Sequence, residues 1–181
     1  MVENILVAQE LVKHYHKDKL PSRCAVKLNL MKAFDSVQWS YLFNAFKALG
    51  FPNKFIRWIE VCITSPTFSI SLNGCLEGYF HGRKGIRQGD PLSPYLFVIC
   101  MKALARMLNK GATTGALPFH PKCKKVGLTH LCFTDDLLIF TDGSLKGMQT
   151  IDSILKQFYQ VTGLKVNCQN SELFVVDCKT Q

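Results

Sequence analysis

The sequence predicts an α+β fold, a mainly antiparallel sheet with helices packed on one side, and three observations carry that prediction. Cys24 to Leu30 alternates, with Val26, Leu28 and Leu30 on one face and Ala25, Lys27 and Asn29 on the other, as in a strand with one polar side. Two apolar runs, His130 to Phe133 and Leu137 to Phe140, flank the adjacent acids Asp135 and Asp136. Such runs read as buried strands, with the acids at a tight hairpin turn where Asp is comfortable and its side chain stays near water. Several other segments carry apolar residues at helical spacing. No repeat, low-complexity tract or linker divides the 181 residues, so residues 1–181 read as a single domain. A chain of this length buries roughly 70% of its unfolded surface.

Taken in order, Ile5, Ala8, Leu11, Val12 and Tyr15 predict an amphipathic helix over 4–16, ending before Leu20-Pro21-Ser22. The strand from Cys24 follows. Trp39 to Leu49 reads as a helix closed by Gly50, and Pro52 opens another through Phe55, Ile56, Ile59 and Cys62. Thr67 to Leu72 alternates strictly before Asn73-Gly74, the strongest short hairpin signal, with Tyr79-Phe80 on the returning strand. A helix over 93–109 is followed by Gly111 to Lys125, rich in Gly, Pro and Lys and expected to be irregular. After the acidic hairpin, Met148, Ile151, Leu155 and Phe158 mark a helix over 145–158, and Leu164 to Val166 and Leu173 to Val176 read as two short strands.

The chain carries 22 Lys and Arg against 13 Asp and Glu, a formal charge of +9, which suits an anionic polymer or surface as partner. Charge alone does not choose nucleic acid over anionic lipid, and basic surface also serves solubility. The cysteines at 24, 62, 75, 100, 123, 132, 168 and 178 show no Cys-x-x-Cys spacing and read as buried thiols. With no hydrophobic signal peptide at Met1-Val2-Glu3-Asn4, that usage points to an intracellular location. His120, Cys123, His130 and Cys132 can be written as a zinc constellation, but the spacing fits no common structural site. The apolar run Tyr95 to Met101 stops at Lys102, far short of the roughly 20 residues that span a bilayer, so no membrane is expected as partner.

Two stretches carry the chemistry. Asp135 and Asp136 put two negative charges on a rigid hairpin, although a bare Asp-Asp also simply makes turns. The second is Gly82-Arg83-Lys84-Gly85-Ile86-Arg87-Gln88-Gly89-Asp90-Pro91-Leu92-Ser93-Pro94, in which glycines admit a ligand's backbone and Ser93 and Pro94 are suited to cap and open a helix whose free N–H groups favour phosphate. In order, Ala25 to Asp35, Gly82 to Pro94 and Phe133 to Asp136 resemble the A, B and C motifs of the reverse transcriptase domain of plant LINE-type (non-LTR) retrotransposons. The resemblance runs from about Asn4 to Phe174. The run Arg87 to Pro94 is highly specific to that family, and Lys32-Ala33-Phe34-Asp35 agrees with it.

The resemblance implies a reverse-transcriptase-like palm and part of the fingers, as a fragment lacking most of the fingers, the thumb and the endonuclease. It implies RNA-directed DNA polymerisation, with an RNA template, a DNA primer and deoxynucleoside triphosphates as partners, the missing fingers and thumb coming from another segment, and a nuclear place of action. That chemistry uses two Mg²⁺ (or Mn²⁺) ions about 3.5 to 4 Å apart, held by hard oxygen ligands. The family's ligands correspond to positions 29, 135 and 136, of which this chain keeps Asp135 and Asp136. At position 29 the family's Lys-Leu-Asp reads Lys27-Leu28-Asn29. Losing one carboxylate costs several kcal/mol of transition-state stabilisation, which at about 1.4 kcal/mol per decade is roughly thousandfold or more in rate. Metal binding is expected to be weakened and catalysis weak or absent.

Phe34 matches the family's aromatic steric gate beneath the sugar, Gln88 and Gly89 match the loop touching the nascent pair and template, and Arg87 is a candidate phosphate contact. Thr134 and Asn170 stand where the family commonly has a small residue and Lys. Asp35 matches a second Asp that is not a ligand. Two other readings stay open: a non-catalytic nucleic-acid-binding remnant keeping the acids only as a turn, and a metal-dependent nuclease.

Overall fold

β1 (Arg23–Met31) organises the molecule because two apolar surfaces meet on it, one on each of its faces. The structure is a computed structural model that describes residues 2–13, 15, 21–133 and 136–176. On one side β1 pairs with β5 (Asp136–Thr141), which in turn pairs with β4 (His130–Phe133). On its other side β7 (Glu172–Val176) covers residues 23–27 and β6 (Lys165–Val166) covers Leu30 and Met31. All these pairings are antiparallel, as the alternating pattern implied.

Cys24, Val26, Leu28 and Leu30 point into the main core together with Leu137 and Ile139 of β5. Against them pack α3 (Trp39–Ala48), α4 (Asn53–Thr64), α5 (Ser93–Thr113) and α6 (Leu145–Thr162), through Leu42, Ile59, Leu104 and Phe158 among others. The opposite face is covered at one end. There Ala25 and Phe140, paired in register, lie with Leu131 beneath Leu11 of α1 (Val2–Val12) and Cys123. The Lys122 ammonium fastens that helix by donating to the carbonyls of Glu10 at 2.8 Å and Lys13 at 3.1 Å, where a cation suits the negative end of the helix dipole.

α5 runs four residues past the expected end and absorbs Gly111. A Cβ there would stand 3.2 Å from Cδ1 of Ile154, so glycine lets α5 and α6 approach closely and outweighs its poor helix propensity. Ser93 is not the cap. It is the first helical residue, Leu92 holds the cap position, and Asp90 Oδ1 instead accepts the Leu92 N–H at 2.8 Å. α2 (Ala33–Ser36) has no periodic signature, being a single turn entered through Lys32 in the left-handed region, φ 46°. The expected helix over 4–16 appears as α1, and residues 14 and 16 lie outside the described residues. Among the described residues no helix is long and apolar enough to cross a membrane.

Candidate functional site

On the face opposite the helices the strands β1 and β5 change character along their length. Ala25 and Phe140 are buried, Lys27 lies within 3.8 Å of Glu172, and at the far end Asn29 stands opposite Asp136. The sequence put Asp136 in the hairpin turn, but Phe133 pairs with Asp136, so Asp136 opens β5 as a ladder residue. Asp135 and Thr134 lie outside the described residues.

Asn29 is held from three sides. Its amide Nδ2 donates to Asp136 Oδ1 at 3.3 Å, its backbone N–H donates to Ser171 Oγ at 3.4 Å, and its carbonyl accepts the Asn167 N–H at 2.8 Å. Ser171 Oγ in turn donates to the Asn167 carbonyl at 2.7 Å. Local sequence gave no sign of these partners, because the turn that supplies them is more than 130 residues away. Asn170, at the position where the resemblance expects Lys, ends the 3-10 turn Cys168–Asn170.

The glycine-rich loop lies against the segment after β1, fastened to it by hydrogen bonds. The Gly85 N–H donates to the Val37 carbonyl at 2.7 Å, the Ile86 N–H donates to the Phe34 carbonyl at 2.8 Å, and the Trp39 indole donates to the Gly85 carbonyl. Gly85 has φ +88°, and a Cβ on it would lie 2.8 Å from the Asp35 carbonyl oxygen; any side chain would push the loop off. At the other end of the same segment Gln38 N–H donates to the Thr162 carbonyl at 2.9 Å, which fixes it against α6.

These ties create an open cleft lined by Leu30, Phe34, Gln88, Gly89, Asp90 and Pro94. Phe34, Gln88 and Gly89 are thus brought together. Phe34 is half-buried and stacks on Phe97 of α5 with ring centroids 5.2 Å apart, so it is both a core residue and a wall of the cleft. Arg87 is exposed on a neighbouring cleft with exposed Asp35 and Lys84, and Gln88 and Asp90 line both clefts. Leu30, one residue beyond Asn29 in β1, lines the first cleft while its side chain belongs to the main core. Pattern reading missed Leu30 and Asp90 as site residues, although the Asp-Pro step at 90–91 signals a side chain tying its own loop.

At this end of the sheet Asp136 is the carboxylate that the described residues offer a divalent cation, and its oxygen is already engaged. A cation on Asp136 would meet an amide N–H already donating to the oxygen it needs, and position 29 supplies no charge. Among the described residues no three His, Cys, Asp or Glu side chains gather as a metal site. The zinc constellation is set aside on the same ground. The His120 imidazole is committed to Tyr15 and the Lys122 backbone, and His130 Nδ1 lies 2.7 Å from Thr129 Oγ1.

The reverse transcriptase (RNA-dependent DNA polymerase) family model matches residues 3–179, nearly the whole chain. The chain belongs to the reverse transcriptase family. Among its relatives, a Pol polyprotein of the type-2 retrotransposable element R2DM of Drosophila melanogaster is 30% identical over 99% of this chain. A Pol polyprotein of the type-1 retrotransposable element R2 of Popillia japonica is 28% identical over 91% of it. The chain spans 16% and 26% of those two proteins. Telomerase of Candida albicans, solved with the TWJ fragment of telomeric RNA, superposes with a TM-score of 0.69 over 98% of this chain and 31% of that one, at 14% identity. That likeness shows the fold. The reverse transcriptase motifs therefore fall on β1 and α2, on the loop leading into α5, and on the β4–β5 hairpin.

Proposed function

We propose that this chain is the palm, with part of the fingers, of a retrotransposon RNA-directed DNA polymerase that keeps its nucleic-acid site but transfers nucleotides weakly or not at all. The observation that carries this is the Asn29 amide donating to Asp136, in place of a second carboxylate facing it. In nucleotidyl transfer a primer 3′ hydroxyl attacks the α-phosphorus of a deoxynucleoside triphosphate and pyrophosphate leaves. Mg²⁺ (or Mn²⁺) is the cofactor that chemistry calls for, and Asp135 and Asp136 are the carboxylates left to hold it, with weakened affinity.

This chain's own residues supply the rest. Phe34, stacked on Phe97, presents a ring edge under the sugar and excludes a 2′ hydroxyl. Gln88 and Gly89 position the templating pair, with Gly89 at φ +83° offering backbone without a side chain. Arg87 and Lys84 meet phosphate on the neighbouring cleft. Partners are an RNA template and a DNA primer, acting inside the cell and in the nucleus. Because the chain spans only part of its relatives, complete turnover calls for fingers and thumb supplied by another segment.

Primer extension on an RNA template with a DNA primer, for the natural chain and Asn29→Asp in parallel, tests the proposal. The natural chain should extend at least about a thousandfold more slowly than an intact polymerase, and Asn29→Asp should recover part of that rate. Full extension by the natural chain contradicts the proposal. Hybrid binding should weaken steeply as salt rises. A binding remnant with no catalysis is the limiting form of the same reading, favoured if Asn29→Asp recovers nothing while salt-sensitive binding persists.

A further inference from the structure

Asn29 occupies a junction of the sheet, where β1 changes partners. The β1–β5 ladder ends at the Asn29–Asp136 pair, and on its other edge β1 changes partner there, leaving β7 after Lys27 and taking up β6 at Leu30. Between those two partners the backbone of Asn29 is held by Asn167 and Ser171, so one residue joins β1, β5 and the 167–171 turn. Its side chain reaches across to the half-buried Asp136. The nearby Lys27 ammonium faces Glu172 instead.

We infer that Asn29 turns the cation-holding end of the sheet into a cation-independent structural tie, so that this chain folds to full stability with no divalent ion. The inference rests on the reading that position 29 lies where the family holds a carboxylate. Its physical basis is charge. A carboxylate at 29 would face that of Asp136 across the ladder, with a third acid, Asp135, adjacent in the chain, and like charges directly opposite destabilise a strand pair unless a cation lies between them. An amide of the same shape reverses the sign, placing an N–H donor 3.3 Å from the Asp136 oxygen where a second carboxylate would repel it. Loss of catalysis and gain of metal-free stability are then two consequences of one substitution.

Thermal unfolding of the natural chain, Asn29→Asp and Asn29→Ala, each in EDTA and in millimolar Mn²⁺, tests the inference without reference to catalysis. The natural chain should melt at the same temperature in both, within about 1 °C, and Asn29→Ala should melt lower by about 3–8 °C in both. Asn29→Asp should fall at least as far in EDTA and recover half or more of the loss in Mn²⁺; folding only with Mn²⁺ supports the inference equally. It is overturned if Mn²⁺ raises the natural chain as much as the Asp variant, or if the Asp variant matches the natural chain in EDTA. Should Asn29→Asp fail to fold in either medium, the natural chain and Asn29→Ala decide, and equal midpoints overturn the tie. Primer extension can fail for want of fingers and thumb while these melts still discriminate, so the two readings fail separately.

Discussion

Two hairpins of similar size have opposite fates in this molecule. β4–β5 and the hairpin of β2 (Thr67–Leu72) and β3 (Cys75–His81) are each antiparallel pairs of strands consecutive in the chain, the second closed by Asn73-Gly74. In β4–β5, Leu137, Ile139 and Phe140 are fully buried, because one face meets the helix-lined core and the other meets α1. In β2–β3 nearly every residue is exposed, Leu76 at 65% and Tyr79 at 75%, and among the described residues its strands pair only with each other. Hairpin chemistry is therefore a local matter, and stability is not. A two-stranded ribbon alone is marginal in water, whereas the same ribbon inside two cores becomes part of the global unfolding unit.

The largest expected effect breaks the buried hairpin. Leu137→Ala should cost about 3–4 kcal/mol in a denaturant titration, the penalty for a cavity in the main core, while Ile70→Ser in β2 should stay within about 0.5 kcal/mol. Equal effects would mean that β2–β3 is as much a part of the fold as β4–β5.

Acid should act on the buried hairpin next. His120 sits edge-on to Phe140, with ring centroids 5.9 Å apart. The Lys122 backbone N–H donates to its Nδ1, so the ring proton is on Nε2 and donates to the Tyr15 hydroxyl oxygen. Burial, with the Lys122 and Arg23 cations adding to it, lowers the pKa of this imidazole to about 4 from the ordinary 6.5. The unfolded chain then binds the proton more readily, so stability is fully present above about pH 6.5 and is lost as pH falls towards 4, by on the order of 2 kcal/mol. Hydrogen exchange should show that loss in β4, β5 and α1 amides. His120→Phe should flatten the profile over this interval.

A smaller effect sharpens the exposed side of the comparison. Gly74→Ala forces a side chain onto φ +86° with no steric neighbour in reach, so about 1 kcal/mol of backbone strain should speed exchange of the β2 and β3 amides and leave global unfolding unchanged. Smallest of all, Glu172→Gln removes an exposed ion pair and should shift stability by less than about 0.5 kcal/mol.

Both hairpins were legible in the sequence, since Asn73-Gly74 and the two apolar runs are short-range signals. The unbroken apolar run Leu137 to Phe140 read as a buried strand and is one, whereas Phe68, Ile70 and Leu72 of the alternating strand stay exposed. What pattern could not reach was pairing across the chain. Ala25 read as lying on a polar face, and α1 buries it; Gly111 read as the start of a loop, and close approach to Ile154 keeps it helical. At the site, Phe34, Gln88 and Gly89 were found through motif resemblance and share a cleft, while Arg87 lines the neighbouring cleft, which Gln88 also lines. The departure at position 29 was visible as a letter. Its hydrogen bond to Asp136 was not, because it depends on register between strands more than 100 residues apart.

A calorimetric titration of Mn²⁺ into the natural chain and into Asn29→Asp, once both are shown to be folded in the starting buffer, asks most directly whether one amide disables the site. If positions 29, 135 and 136 form one site that Asn29 has closed, the Asp variant alone should bind appreciably. Equal binding by the two proteins would contradict that reading, since Asn29 would then be no obstacle to the metal.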